Sequence, residues 1–144
     1  MVLAFKGRSL VGGKAEGKTL VTRQAFMFPH GIDPKTGRIT DVRHELYGSS
    51  IKGRVFIFPF GKGSTTGSTW ILETIRCGNG PVAIINLETE PIIATGVILG
   101  EMLYGVRIPV IDEVEKRIFN EVRSGDRAKI DGDTGSIEVM KPSK

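Results

Sequence analysis

The sequence predicts an α/β domain in which a parallel core is wrapped by antiparallel strands. Three observations carry this. Strand patterns come first, a β-α-β-α-β alternation follows, and a hairpin closes the chain. The runs 54–60 and 81–87 are apolar at successive positions, as strands buried on both faces are. The 19 glycines point to turns and close backbone approaches rather than to a helical bundle.

The elements follow in order. Residues 2–12 read as a first strand, with Leu3, Phe5, Leu10 and Val11 as its apolar points and Gly12-Gly13 as its break. Gly17–Thr22 is a second strand. From Gln24 to Gly53 the signal is a loop, punctuated by Pro29, Gly31, Pro34, Gly37 and Gly48. Loops of this length in compact domains are usually functional or disordered, and the charge and order-promoting turns of this one point to function. Arg54–Phe60 is a central strand, and a helix spans roughly Thr66–Arg76. Pro81–Leu87 is another buried strand. Thr89-Glu90-Pro91 opens a helix over Ile92–Leu103, with threonine as cap and proline in the first turn. Arg107–Ile111 is a short strand, and Asp112–Asn120 has the spacing of a short helix. Asp126–Val139 reads as a hairpin turning over residues 131–135.

The 144 residues suit one domain, 1–144, with one core. No uninterrupted apolar stretch is long enough to span a membrane, and the start has no signal-peptide layout, so a cytoplasmic protein is expected. Cys77 is the single cysteine, which excludes an internal disulfide and a cluster ligated by this chain's cysteines alone. It reads as packing at a helix end. With His30 and His44 as the only histidines, a zinc site is disfavoured.

The net charge of +4 is uneven. Residues 1–62 hold 11 Lys/Arg against 4 Asp/Glu, whereas residues 63–144 hold 9 against 12. A basic N-terminal half attracts anions. The aromatics do not alternate with the basic residues as a nucleic-acid stacking platform requires, so no nucleic-acid partner is expected.

Gly61-Lys62-Gly63-Ser64-Thr65-Thr66-Gly67-Ser68 joins the central strand to the first helix. Such a turn aims backbone N–H groups and the positive helix end at one spot. It is no Walker A loop, its glycines are one residue too widely spaced for the dinucleotide fingerprint, and it lacks the G-x-S-x-G elbow. By motif alone it reads as a helix start capped by Ser64 or Thr65, worth about 1 kcal/mol.

The turn, with Gly53–Pro59 before it, resembles the small subunit of the aconitase X family. So do Gly31-Ile32-Asp33-Pro34-Lys35-Thr36-Gly37-Arg38-Ile39-Thr40-Asp41, the His44–Gly53 run, Glu90-Pro91-Ile92-Ile93-Ala94-Thr95-Gly96, Arg107-Ile108-Pro109-Val110 and the Gly125–Gly132 end. The resemblance covers nearly the whole chain. It implies the swivelling β/β/α domain that closes aconitases. It implies a separate, larger subunit, in a heterodimer or higher assembly, carrying an iron–sulfur cluster of 4Fe-4S type that this chain does not bind alone. It also implies dehydration of (R)-5-phosphomevalonate to trans-anhydromevalonate 5-phosphate. A hydroxyproline-type substrate and a non-catalytic, anion-binding swivel module are the alternatives.

By the same resemblance Ser64 occupies the place of the aconitase catalytic base, and Thr65 that of the serine after it. Thr66 stands where aconitases keep a substrate-binding arginine, which argues against citrate. Lys62, Gly63, Thr65, Thr66, Asp33 and His44 are the expected contacts for a small phosphorylated or carboxylate substrate. Asp33 also has a simpler reading as an Asx turn before Pro34, and His44 as a loop-packing histidine. Glu88 and Glu90 read as helix N-terminal charges.

Overall fold

The computed structural model describes residues 1–62 and 66–142. Its strands are β1 (Val2–Lys6), β2 (Arg8–Val11), β3 (Lys14–Val21), β4 (Val55–Ile57), β5 (Ala83–Ile85), β6 (Val110–Asp112), β7 (Arg127–Asp131) and β8 (Ser136–Met140). Its helices are α1 (Gly67–Arg76), α2 (Pro91–Tyr104) and α3 (Ile118–Glu121). The strand order is β1-β8-β7-β3-β4-β5-β6-β2.

Two sheets meet at two corners. β1, β8, β7 and the first half of β3 pair antiparallel. The second half of β3 pairs parallel with β4, and β4, β5 and β6 continue the parallel ladder. β2 closes that edge antiparallel to β6. β3 therefore passes from one sheet to the other, and so does the Val2–Val11 segment. A glycine sits at each corner. A methyl on Gly7 would lie 2.5 Å from the Asp112 carbonyl oxygen, and one on Gly17 would lie 2.9 Å from that of Gly53. Only a residue without Cβ lets the backbones come this close.

The single strand expected over 2–12 is thus two strands on opposite edges of the sheet, broken at Gly7. The expected parallel core with antiparallel wrapping is present. Its strands are shorter than the apolar runs because only their middles pair. The strand expected at Arg107–Ile111 is Val110–Asp112, and the helix expected over 112–120 is the single turn α3. Thr89 does not cap α2: the N-cap is Glu90, with Pro91 in the first turn. The Thr89 hydroxyl instead donates to Asn86 Oδ1 at 2.9 Å, satisfying a fully buried amide.

The period of two along β4 and β5 divides the core. Phe56, Phe58 and Ile84 face Ile71, Ile75, Ile93 and Val97 of the helices. Val55, Ile57, Ala83 and Ile85 face Phe5, Ala128, Ile130, Ile137 and Val139 of the antiparallel sheet. The layers are therefore antiparallel sheet, parallel sheet, helices. Residues 24–53 form no helix or strand, yet Phe26, Phe28, Ile32, Ile39 and Ile51 are buried in the helix-side core. Ile39 N–H donates to the Ser49 carbonyl and Ile51 N–H to that of Gly37, so the loop is a packed lobe with its own backbone bonds. No described helix is long and apolar enough to cross a membrane.

Candidate functional site

α1 and α2 run parallel. Gly67 adjoins Ile92, Gly96 adjoins Ile71, and Gly100 adjoins Ile75, so the contacts advance together along both helices. Their N-termini therefore lie at one end, beyond the carboxyl ends of β4 and β5, where open α/β sheets place ligands. Phe26 pins the chain there: its N–H donates to the Phe60 carbonyl, and its own carbonyl accepts Lys62 N–H at 3.0 Å. Gly61 packs so tightly against α2 that an added methyl would meet Ile93 Cδ1 at 2.8 Å. The same methyl would lie 3.7 Å from Glu90 Oε2, which puts that carboxylate beside the turn.

Gly63, Ser64 and Thr65 lie outside the described residues. The cap expected at Ser64 or Thr65 is instead Thr66: it is exposed and is the α1 N-cap, with its carbonyl accepting the Trp70 N–H and the Thr69 hydroxyl. No acidic residue occupies the first turn of α1.

Lys62 shares a cleft of about 700 Å³ with His30, Thr40, Asp41, Arg43 and His44. The arrangement of His44 is specific. It is 8% exposed, and its ring meets Phe26 edge-on at 5.6 Å. Its Nδ1 accepts the Leu46 N–H at 3.1 Å. Its Nε2 is the one buried side-chain polar atom among the described residues without a hydrogen-bond partner. Lys62 and Arg43 are exposed and make no side-chain ion pair among the described residues. Asp41 turns Oδ1 to the Arg43 N–H.

Asp33 is not brought to this cleft. Its Oδ1 accepts the Lys35 N–H at 3.0 Å, closing an Asx turn that shapes the lobe. Cys77 is half-buried at the C-cap of α1. His30 is a cleft residue that the sequence did not single out. Its backbone sits at φ 61°, in the left-handed region, and its ring lies 5.0 Å from that of Trp70 on α1. The Pro29-His30-Gly31 run signalled a turn there but not which side chain it would present. A wider groove of about 760 Å³ crosses β3, β7 and β8, where Lys14, Lys129, Glu16 and Glu138 mix both charges. No buried unpartnered group serves it among the described residues.

These features have counterparts among known proteins. The model for the aconitase X swivel domain matches residues 4–139. The phosphomevalonate dehydratase small subunit of Methanosarcina acetivorans is 44% identical over 97% of this chain and 93% of its own. That of Thermococcus kodakarensis is 39% identical over 96% of this chain and 98% of its own. A crystal structure of holo-form aconitase X from the same Thermococcus species superposes with a TM-score of 0.87. It is 39% identical and covers 96% of this chain and 99% of that one. With the three-layer fold and nearly full-length similarity together, the chain belongs to the aconitase X swivel-domain family.

Proposed function

We propose that this chain is the small subunit of a heteromeric iron–sulfur hydro-lyase. Its reaction is loss of water from (R)-5-phosphomevalonate, giving trans-anhydromevalonate 5-phosphate. The names of the small-subunit relatives support the substrate and the need for a large subunit. The observation that carries the reading is the convergence of two parallel helix N-termini, Lys62 and the His44 cleft at one end of the parallel sheet. Exposed Ile98, Met102, Leu103 and Tyr104 on α2 also favour a protein partner.

This chain's share of the chemistry is proton removal. Ser64 takes a proton from the carbon α to the substrate carboxylate. A serine alkoxide is costly in water, and the α1 N-terminus, closed off by a partner, lowers that cost. Thr66 offers no guanidinium, so the carboxylate clamp of ordinary aconitases is absent and the cations of the cleft are left to hold substrate charge. One cysteine does not anchor a cluster, and no described group of three metal-ligating side chains exists. The cluster is accordingly assigned to the large subunit, and departure of the hydroxyl with it. Neither subunit then turns over alone.

The test is anaerobic co-expression with the large subunit and an assay of water loss from phosphomevalonate and, separately, from hydroxyproline. Turnover of the first alone bears the proposal out. Turnover of the second alone reassigns the substrate. Anion binding with neither activity leaves a non-catalytic swivel module.

A further inference from the structure

We infer that the outward face of α2 is the seat of the large subunit, which lies along the whole helix and so reaches the end of the sheet where the site is built. The inference rests on the heteromeric reading above and adds to it the surface that joins the two chains.

α2 has the composition of a helix buried on every side. Over Pro91–Tyr104 its one charged residue is Glu101, and that carboxylate is paired with Arg107 at 2.6 Å. A surface helix ordinarily turns a polar face to water, whereas a helix apolar all round is one that is covered all round. Here only one side is covered. Ile93, Gly96, Val97 and Gly100 are buried, with Gly96 and Gly100 set against Ile71 and Ile75 of α1. Pro91, Thr95, Ile98 and Met102 recur at the spacing of a single stripe, and all four are exposed. Ile98 keeps 47% of its surface in solvent and Met102 75%. α1 is the contrast: its exposed positions include Glu73 and Arg76, which pair with each other, so it is built to face water. At the far end the apolar ground broadens onto α1, where Trp70, Leu72 and Tyr104 line a groove of about 460 Å³. Methionine and aromatic residues with few charges are what the core of a protein–protein contact contains.

The position of the stripe selects the occupant. It begins at Pro91, next to Glu90, whose carboxylate lies beside the Gly61 turn. Ile92, in the same first turn of α2, lines a small cavity with Gly61 and Lys62. Met102 lies about 17 Å further along the helix, at 1.5 Å per residue. A body resting on the stripe and a body closing the site need the same ground at Pro91 and Ile92, so the two are one body. The proposed function requires the large subunit at that end. A second copy of this chain seated on the stripe would stand in its way. The face of the large subunit that meets α2 is accordingly apolar and uncharged.

Two measurements test it. Footprinting with a photogenerated carbene, which labels exposed apolar side chains, needs no variant. In the chain alone, residues 91–107 and the β7–β8 hairpin are expected to label. In the complex with the large subunit, labelling of 91–107 should fall at least fivefold while the hairpin stays unchanged. Equal labelling of 91–107 in the assembled complex overturns the inference. The double variant I98E/M102E changes exposed positions only, and an unchanged melting temperature of the chain alone shows that it folds. Its affinity for the large subunit is expected to fall about 100-fold. K129S, on the outer face of the antiparallel sheet, should bind as the wild type does. An unchanged affinity of folded I98E/M102E overturns the inference. So does a self-association of the chain that I98E/M102E abolishes without weakening the large subunit's binding, since a second copy would then be the occupant. Assembly without protection of α2 sinks the docking surface alone; no assembly of the wild-type chains sinks the heteromeric function itself.

Discussion

Arg8 and Asp112 meet at two points: Nε and Nη2 of the guanidinium each donate to a separate carboxylate oxygen at 2.9 Å. Asp112 is buried, with 1% of its side chain exposed, and Oδ2 also accepts the Thr89 N–H at 3.2 Å. One carboxylate thus joins the edge strand β2, the core strand β6 and the loop that launches α2. D112N keeps the shape but turns an amide N–H₂ toward donors on one side or the other. The expected loss is about 1–3 kcal/mol, read as a lower denaturant midpoint at unchanged slope.

The corner glycines make a sharper steric prediction. A methyl at Gly7 would sit 2.5 Å from the Asp112 carbonyl oxygen, which belongs to β6 and cannot retreat without moving the sheet, and 2.8 Å from Val114 Cγ1. Gly48 has positive φ but open space around it. G48A should cost about 1 kcal/mol for the left-handed backbone alone. G7A should cost more, about 2–3 kcal/mol, through overpacking. Equal midpoints for the two variants in a denaturant titration would contradict the corner role of Gly7.

Gly7 also shows what the sequence does and does not carry. The alternation of strands and helices, the buried character of 55–57 and 83–85, and the closing hairpin are local patterns and were legible. That Val2–Val11 serves two sheets was not, because Gly7 interrupts no hydrophobic period; the partner change is decided by β8 and β6, which lie far along the chain. Thr89 misled for a similar reason: it has cap chemistry, but the buried Asn86 amide claims its hydroxyl. At the site, Lys62 and His44 were legible as members of a motif. Their meeting in one cleft depends on the Phe26 backbone bonds to the turn, a contact no local pattern signals. Asp33 was legible as an Asx turn from Asp-Pro alone, and its hydrogen bond fits that reading.

Stability should fall on the acid side. Glu73, Glu101 and Glu115 are held below the usual carboxylate range, chiefly by side-chain hydrogen bonds from Arg76, Arg107 and Arg117. A lowered folded-state value contributes stability that is complete above the unfolded value, about 4.3, and is lost as pH falls through the folded one. Denaturant midpoints are therefore expected to hold from neutral pH to about 5 and to drop below about 4.3. E101Q should make that drop shallower. Added salt should shrink the E101Q difference, because the Arg107–Glu101 pair is solvent-facing. A difference that persists undiminished in high salt would contradict a screened surface pair.

The base assignment yields the most direct kinetic prediction. If Ser64 removes the proton, S64A takes away the acceptor while leaving the backbone amides of the turn and the α1 N-terminus in place. Loss of a positioned base is expected to lower kcat by about 10²–10⁴-fold. KM should change little, because the proposed function leaves substrate charge to the exposed cations of the cleft, Lys62 and Arg43, rather than to the serine hydroxyl. Co-purification with the large subunit should be unaffected, since one hydroxyl contributes little to a subunit contact. The split between kcat and KM separates this role from a structural one: Thr66 is the N-cap of α1, and a purely structural serine hydroxyl would show as lost stability with the folded enzyme's turnover close to normal. S64A with a lower melting temperature but near-normal kcat would therefore return Ser64 to a structural role and move the search for the base to Glu90, the carboxylate beside the same turn.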